Sequence, residues 1–296
     1  MALSIKEGAF FDPSYMYNEL TMISPNQFPR FDERLPYLDQ FVLELVDEFK
    51  EGKLNSWDDL DELVNAFFTT GMMEQTCSII PHWEKMASYS NGITLVHTIC
   101  VFMGIFVMPE FHQMTKEQQQ AMKWAVLFHD IEKEPQSHKR DALHPLKSAI
   151  SAGNTLPGIG FPVTNEYHQE IETWSEQTAQ AFFTLNDDAD PKPDNSKLPE
   201  ILAGIDSFFG ENTPANLITK TVLLHNSINV DPNYPTPSPL TEDEIKGYIT
   251  PGLFPLLKVM MLGDNEGWSL FQPEIRARQR RDTLEVYNRL GHLLSI

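Results

Sequence analysis

Apolar residues recur along most of this chain at helical rather than strand spacing. In LDQFVLELVDEFK (38–50), Phe41, Val42, Leu45, Val46 and Phe49 share one face, because positions three and four apart lie on the same side of a helix. Asp58 to Phe68 continues a helical hairpin that Gly71 is expected to end. Thr115 with Gln118 has the form of a capping box. The helix it opens, over 115–130, has an apolar face of Met122, Ala125 and Phe128 with Trp124 beside it. Further helical patterns occupy 165–185, 198–209, 214–228, 240–249, 251–262 and 274–294, and strand-like alternation is mostly missing. NDDADPKPDNS (186–196) and DPNYPTPSP (231–239) read as polar, proline-bearing loops. The expected fold is therefore all-α, a bundle of some ten or more helices. Residues 1–85 read as an N-terminal helical extension packed on the core, and 86–296 as one body.

One stretch departs from the amphipathic pattern. ITLVHTICVFMGIFVM (93–108) is almost wholly apolar, yet at 1.5 Å per residue it reaches only about 24 Å, short of the ~30 Å of a bilayer core. It also contains a histidine, which lipid penalises, so a buried core helix is expected. Composition supports a packed interior: 41% of the 296 residues are apolar and 11% aromatic. The formal charge of −20, from 42 acidic and 22 basic residues, repels phosphate backbones and anionic lipid. Binding to a nucleic-acid backbone or a membrane surface is therefore not expected. Two cysteines, Cys77 and Cys100, cannot build a disulfide scaffold, and MALSIKEGAFFD lacks the basic and apolar regions of a signal peptide. A reduced, cytoplasmic protein is the expectation.

The strongest chemical signal is His129-Asp130, where the apolar run AVLF delivers two polar groups to a helix end. Imidazole nitrogen and carboxylate oxygen are donors that zinc, iron, manganese and nickel accept, and burying them without a partner is costly. Other polar groups occupy matching apolar settings. His97 lies inside 93–108, His144 opens HPLKSAISAG, His225 ends the run TVLL, and Asp264 follows FPLLKVMML. Each taken singly reads as a core histidine or, for Asp264, a helix cap; together they read as a metal site. His168, in the first turn of a predicted helix, is a weaker candidate, and His82, His112 and His292 have surface contexts. Lys133, Lys139, Arg140 and Lys147 cluster near the donors. ARQRR (277–281) is either a second phosphate-holding patch or the solvated face of the C-terminal helix. Walker, Rossmann, nucleophile-elbow and kinase signatures are absent.

In this order the residues resemble the HD superfamily of metal-dependent phosphohydrolases, whose pattern is H…HD…D with extra histidines in many members. The resemblance covers roughly residues 91–267. The first histidine falls on His97, the pair on His129 and Asp130 in HDIEK, and the last aspartate on Asp264; Glu132 stands where the family usually has glycine. The stretch looks closest to the HD domains attached to bacterial tRNA nucleotidyltransferases, although the chain has no nucleotidyltransferase domain.

The resemblance implies an HD-type helical bundle that hydrolyses a phosphomonoester or phosphodiester of a small phosphorylated metabolite or nucleotide. It implies one or two divalent ions (manganese, nickel, zinc, magnesium or iron) on His97, His129, Asp130 and Asp264, with His144 and His225 completing a second site. Asp130 and Lys133 are the expected catalytic residues, and His138, Arg140 and Lys147 the expected substrate contacts. Two alternatives stay open: a mixed-valent di-iron oxygenase, which uses the same four histidines and two aspartates, and a non-catalytic regulatory protein. Self-association is compatible with each.

Overall fold

The computed structural model describes residues 28–88, 92–134, 141–183, 192–231 and 235–296. These hold fifteen α-helices and essentially no sheet, so the fold is all-α. The first five helices are α1 (Phe31–Arg34), α2 (Pro36–Lys50), α3 (Trp57–Phe67), α4 (Thr70–Cys77) and α5 (Glu84–Ser88). The middle of the chain forms α6 (Ile93–Val107), α7 (Pro109–Gln113), α8 (Lys116–Phe128), α9 (His144–Ile159) and α10 (Tyr167–Ala179). The last five are α11 (Leu198–Phe209), α12 (Pro214–Leu224), α13 (Glu242–Tyr248), α14 (Phe254–Ser269) and α15 (Pro273–Leu294).

Helix α6 is the hub, as its all-round apolar sequence requires. Every residue from Thr94 to Ile105 is buried, and α2, α3, α8 and α14 pack around it. No helix among the described residues is long and apolar enough to cross a membrane. The helices of 28–88 join the same continuous core. Phe31 meets Phe102 and Trp124 edge-on at 5.1 and 5.2 Å, and the Trp124 indole N–H donates to the Pro29 carbonyl at 2.9 Å.

Local signals place the helix starts. The Thr115 hydroxyl accepts from the Gln118 N–H while the Gln118 amide oxygen accepts from the Thr115 N–H, so the capping box is present. Thr115→Ala leaves one of those donors without a partner and is expected to lower unfolding free energy by about 1 kcal/mol in urea titrations. Pro145 falls in the first turn of α9, where its missing N–H costs nothing.

Three features differ from the sequence reading. Gly71 does not end a helical hairpin but lies inside α4. Phe182–Phe183, in the predicted 165–185 helix that in fact ends at Ala179, pairs antiparallel with Lys192–Pro193 inside the predicted 186–196 loop. The third bears on function: α14 does not stop near residue 262 but runs through Gly263, Asp264 and Gly267 to Ser269. Those glycines are what let α14 lie against α6. A methyl group on Gly263 would come within 2.9 Å of Ile105, and one on Gly267 within 2.5 Å of Val101 and 2.7 Å of the His97 ring. The seam between the two helices is therefore closed by absent side chains, with His97 on one wall and Asp264 on the other.

Candidate metal centre

Three histidines are positioned by one recurring device. His129 is the residue at which α8 ends, and its Nδ1–H donates to the Val126 carbonyl at 2.7 Å. That carbonyl belongs to the last turn of the helix, where backbone oxygens lack intrahelical partners. His225 does the same at the end of α12, donating Nδ1–H to Val222 O at 2.6 Å. His144, opening α9, donates Nδ1–H to Asp141 O, and the Asp141 carboxylate anchors that turn by accepting from the Leu143 and Glu134 N–H groups at 3.0 and 3.1 Å. In each case the ring is tethered to the carbonyl three residues earlier. A neutral imidazole whose Nδ1 carries the proton presents a lone pair on Nε2. Three such lone pairs point into one buried space.

Asp130 sits in the middle of it. Its Oδ2 lies 3.6 Å from Nε2 of both His97 and His129, while Oδ1 lies 3.0 Å from His144 Nε2 and 3.9 Å from His225 Nε2. His97 Nε2 is 2.9 Å from Asp264 Oδ1. The donors fall into two groups, His97–His129–Asp264 and Asp130–His144–His225, and within each group the ligand atoms lie within 4.8 Å of one another. One carboxylate thus faces both.

The electrostatics fit a cation. His144 and His225 bring their Nε2 atoms to 3.1 Å with no proton of their own between them. Two donors of one ion take about that separation at right angles, with bonds of about 2.1 Å. His97 Nδ1, His129 Nε2 and Asp130 Oδ1 are buried with no hydrogen-bond partner among the described residues. Burial lowers the pKa of His129, and it takes that of His225 down to about 3, so both rings are neutral at physiological pH. Burial alone would raise the Asp130 carboxyl. Only together do the Lys133 ammonium and the adjoining His129 and His144 rings outweigh it and hold the group well below the usual carboxylate range. Asp264 is likewise lowered: burial raises it, but the hydrogen bond and charge interaction with His97, together with Lys133, more than offset that. Neutral imidazoles around ionised carboxylates are the donor set of a transition-metal site. These buried groups could hold a metal ion.

The centre opens on one side. His97, His129, Asp130, His144 and His225 are at most 2% exposed as side chains, whereas Asp264 is 17%, Lys133 27% and Trp268 48% exposed. Lys133 Nζ lies 2.5 Å from Asp130 Oδ2 and 5.9 Å from the Trp268 ring centre. Trp268 stacks on His97 at 4.2 Å, and Trp57 runs parallel to it at 5.6 Å. The positioning of His97 thus involves an indole on one side and the Gly267 backbone on the other.

The six proposed donors, together with Lys133, are all brought together. Lys147 is turned away to Asp141 and Glu134, at 3.5 and 3.7 Å. His138, Lys139 and Arg140 lie outside the described residues. Glu132, at the position where the resemblance expects glycine, is held by Lys85 at 2.8 Å, and its N–H donates to Ser148. His168 is exposed and belongs to neither donor group. The basic run 277–281 is not a phosphate patch beside the donors. Arg280 reaches Glu110 and the buried Glu266, to which Arg276 also bonds, and Glu266 leaves α14 on the face opposite Asp264, two residues away. Asp264, expected to cap a helix or follow one, lies within α14.

Four contributors escape a reading of histidines and acids. Gly263 and Gly267 have the small-x-x-x-small spacing of close helix contacts, whose meaning shows only once α6 lies against them. Trp268 and Asn226, whose amide nitrogen is 3.1 Å from His144 Nε2 and 3.0 Å from His225 Nε2, gave no signal beyond adjacency to the donors. No protein-family model, curated protein or solved structure matches this chain.

Proposed function

We propose that the protein is a metal-dependent phosphoric ester hydrolase acting on a small phosphorylated metabolite or nucleotide. The observation that carries this reading is Asp130, a buried carboxylate facing two groups of donors while Lys133 lies on it from the open side. The resemblance of the H…HD…D order to the HD superfamily supports it as well.

A divalent ion held by these groups lowers the pKa of a bound water and neutralises charge on phosphoryl oxygens. His97, His129, Asp130 and Asp264 would hold one ion, and His144 and His225, sharing Asp130, a second. The chain's own residues supply the rest. The carbonyl tethers fix the tautomers of His129, His144 and His225, so those three rings need no reorganisation when a cation is bound. Lys133 is the ammonium group placed to meet a phosphoryl oxygen as negative charge builds there. Asp264, the most exposed donor, marks the side from which substrate arrives. Free Cys77 and Cys100 suit a reducing compartment, which is part of the same proposal.

Four imidazoles and two carboxylates in one cluster also suit a mixed-valent di-iron oxygenase, and one experiment separates the readings. The purified protein is subjected to elemental analysis and then screened for phosphate release from phosphorylated metabolites. Manganese, nickel, zinc or magnesium with phosphate release supports the hydrolase. Two equivalents of iron with a visible absorption band and no phosphate release would replace it by the oxygenase. A protein that takes up no divalent ion would have neither activity, leaving a regulatory role.

A further inference from the structure

We propose that Asn226 is a ligand of the ion bound at His144, His225 and Asp130, its amide nitrogen holding the two imidazoles in the arrangement seen here and its oxygen turning to the ion on binding. The inference rests on the metal-centre reading above and extends it to a residue type that metal-site patterns pass over.

Three distances carry the argument. The Asn226 amide nitrogen is 3.1 Å from His144 Nε2 and 3.0 Å from His225 Nε2, and those two nitrogens are 3.1 Å apart. Both rings have spent their Nδ1–H on backbone carbonyls, so both Nε2 atoms can only accept. Two acceptors that close repel unless something positive lies against both. The amide N–H group is that positive end. It does the task incompletely: its two hydrogens diverge by about 120°, while the acceptors subtend only about 60° at the nitrogen. One N–H is therefore shared between two lone pairs.

A cation at the same two nitrogens would be repelled by that N–H and attracted by the other end of the amide. Half a turn about the last side-chain bond exchanges nitrogen for oxygen in nearly the same place, an exchange open to Asn and Gln but to no charged or aliphatic side chain. Asn226 is well placed for it. It follows the residue at which α12 ends, and a cavity of about 30 Å³ bounded by His144 and Asn226 lies beside it. That space is enough for about one water. With Asp130 Oδ1 at 3.0 and 3.9 Å from the two rings, the completed set is two nitrogens and two oxygens. Such a set favours manganese, iron, nickel or zinc over calcium. Both nitrogens that Asn226 meets belong to the Asp130–His144–His225 group, so it should tune the ion of that group.

The test is equilibrium dialysis of the full-length protein against Mn²⁺ alone, with elemental analysis, for the wild type, Asn226→Asp and Asn226→Leu. Circular dichroism establishes that each variant is folded. Two equivalents are expected for the wild type. Asn226→Asp, nearly isosteric and anionic, should bind the weaker equivalent about tenfold or more tightly, and Asn226→Leu about tenfold or more weakly, with the tighter equivalent unchanged. Should Leu fail to fold, the Asp variant decides alone. A weaker equivalent within twofold of wild type in the folded variants would overturn the assignment, as would a wild type binding one ion whose affinity is unmoved by either change. Neither result touches the hydrolase reading, which falls separately if two ions bind and no phosphate ester is cleaved. A wild type that binds no Mn²⁺ and no other divalent ion overturns both.

Discussion

Asp130→Asn is expected to eliminate tight metal binding and to lower phosphate release by about a thousandfold or more, with the helical fold intact. The carboxylate belongs to the trio with His144 and His225 and lies 3.6 Å from the His97 and His129 nitrogens of the other, so its loss weakens both at once. Asparagine keeps the shape, and no cavity opens. Lys133 loses its anionic partner but is 27% exposed and can turn to water. Because the folded protein holds Asp130 well below the usual carboxylate range, its charge is net stabilising at neutral pH, and without metal the variant should be less stable in urea than the wild type. The discriminating measurement is the thermal midpoint with and without Mn²⁺. The wild type should gain several degrees and the variant none. A variant that kept wild-type metal content and turnover would refute the proposed centre.

Gly267→Ala is expected to cost about 1–3 kcal/mol of stability and to weaken metal binding about ten- to a hundredfold, although glycine is not a ligand. Its new methyl would sit 2.5 Å from Val101 and 2.7 Å from the His97 ring, and it projects from the interior of α14, whose backbone cannot step aside. The helix carrying His97 must move instead, and His97 moves with it. Gly158→Ala provides the contrast. It too is helical, but a methyl there meets nothing within 4 Å, so alanine should stabilise by about 0.5–1 kcal/mol and leave metal affinity alone. Urea titration and equilibrium dialysis of both variants separate a packing effect at the centre from a general intolerance of alanine.

These two substitutions also mark where the sequence was readable. The 198–209 helix, the capping box and the apolar hub were legible because periodicity and capping are local properties of the chain. So were the donors, as polar groups stranded in apolar runs. What was not legible depended on what lies across from a residue. Gly263 and Gly267 look like helix breakers when α6 is unseen, which cut α14 short and turned Asp264 into a cap. Arg280, within the run 277–281, looks like part of a solvated or phosphate-binding face until Glu110 and Glu266 are placed beside it. Asn226 is an ordinary polar residue until two lone pairs face it. The six residues the resemblance singled out lie close together, but the resemblance could not supply the carbonyls that fix the tautomers of His129, His144 and His225.

The tethers and the glycine seam together bear on the order in which this chain acquires structure. Each tethered imidazole is set locally, three residues from its carbonyl, and can be oriented as soon as its own helix end forms. The pairing of His97 with Asp264 spans 167 residues, and the loop it closes must be paid for entropically before the His97–His129–Asp264 group exists. An ion held by that group would therefore not seed folding as zinc does in a finger. It can only select the finished structure, adding about 2.7 kcal/mol at a hundredfold excess over its dissociation constant. Refolding rates should consequently be insensitive to metal while unfolding slows in its presence.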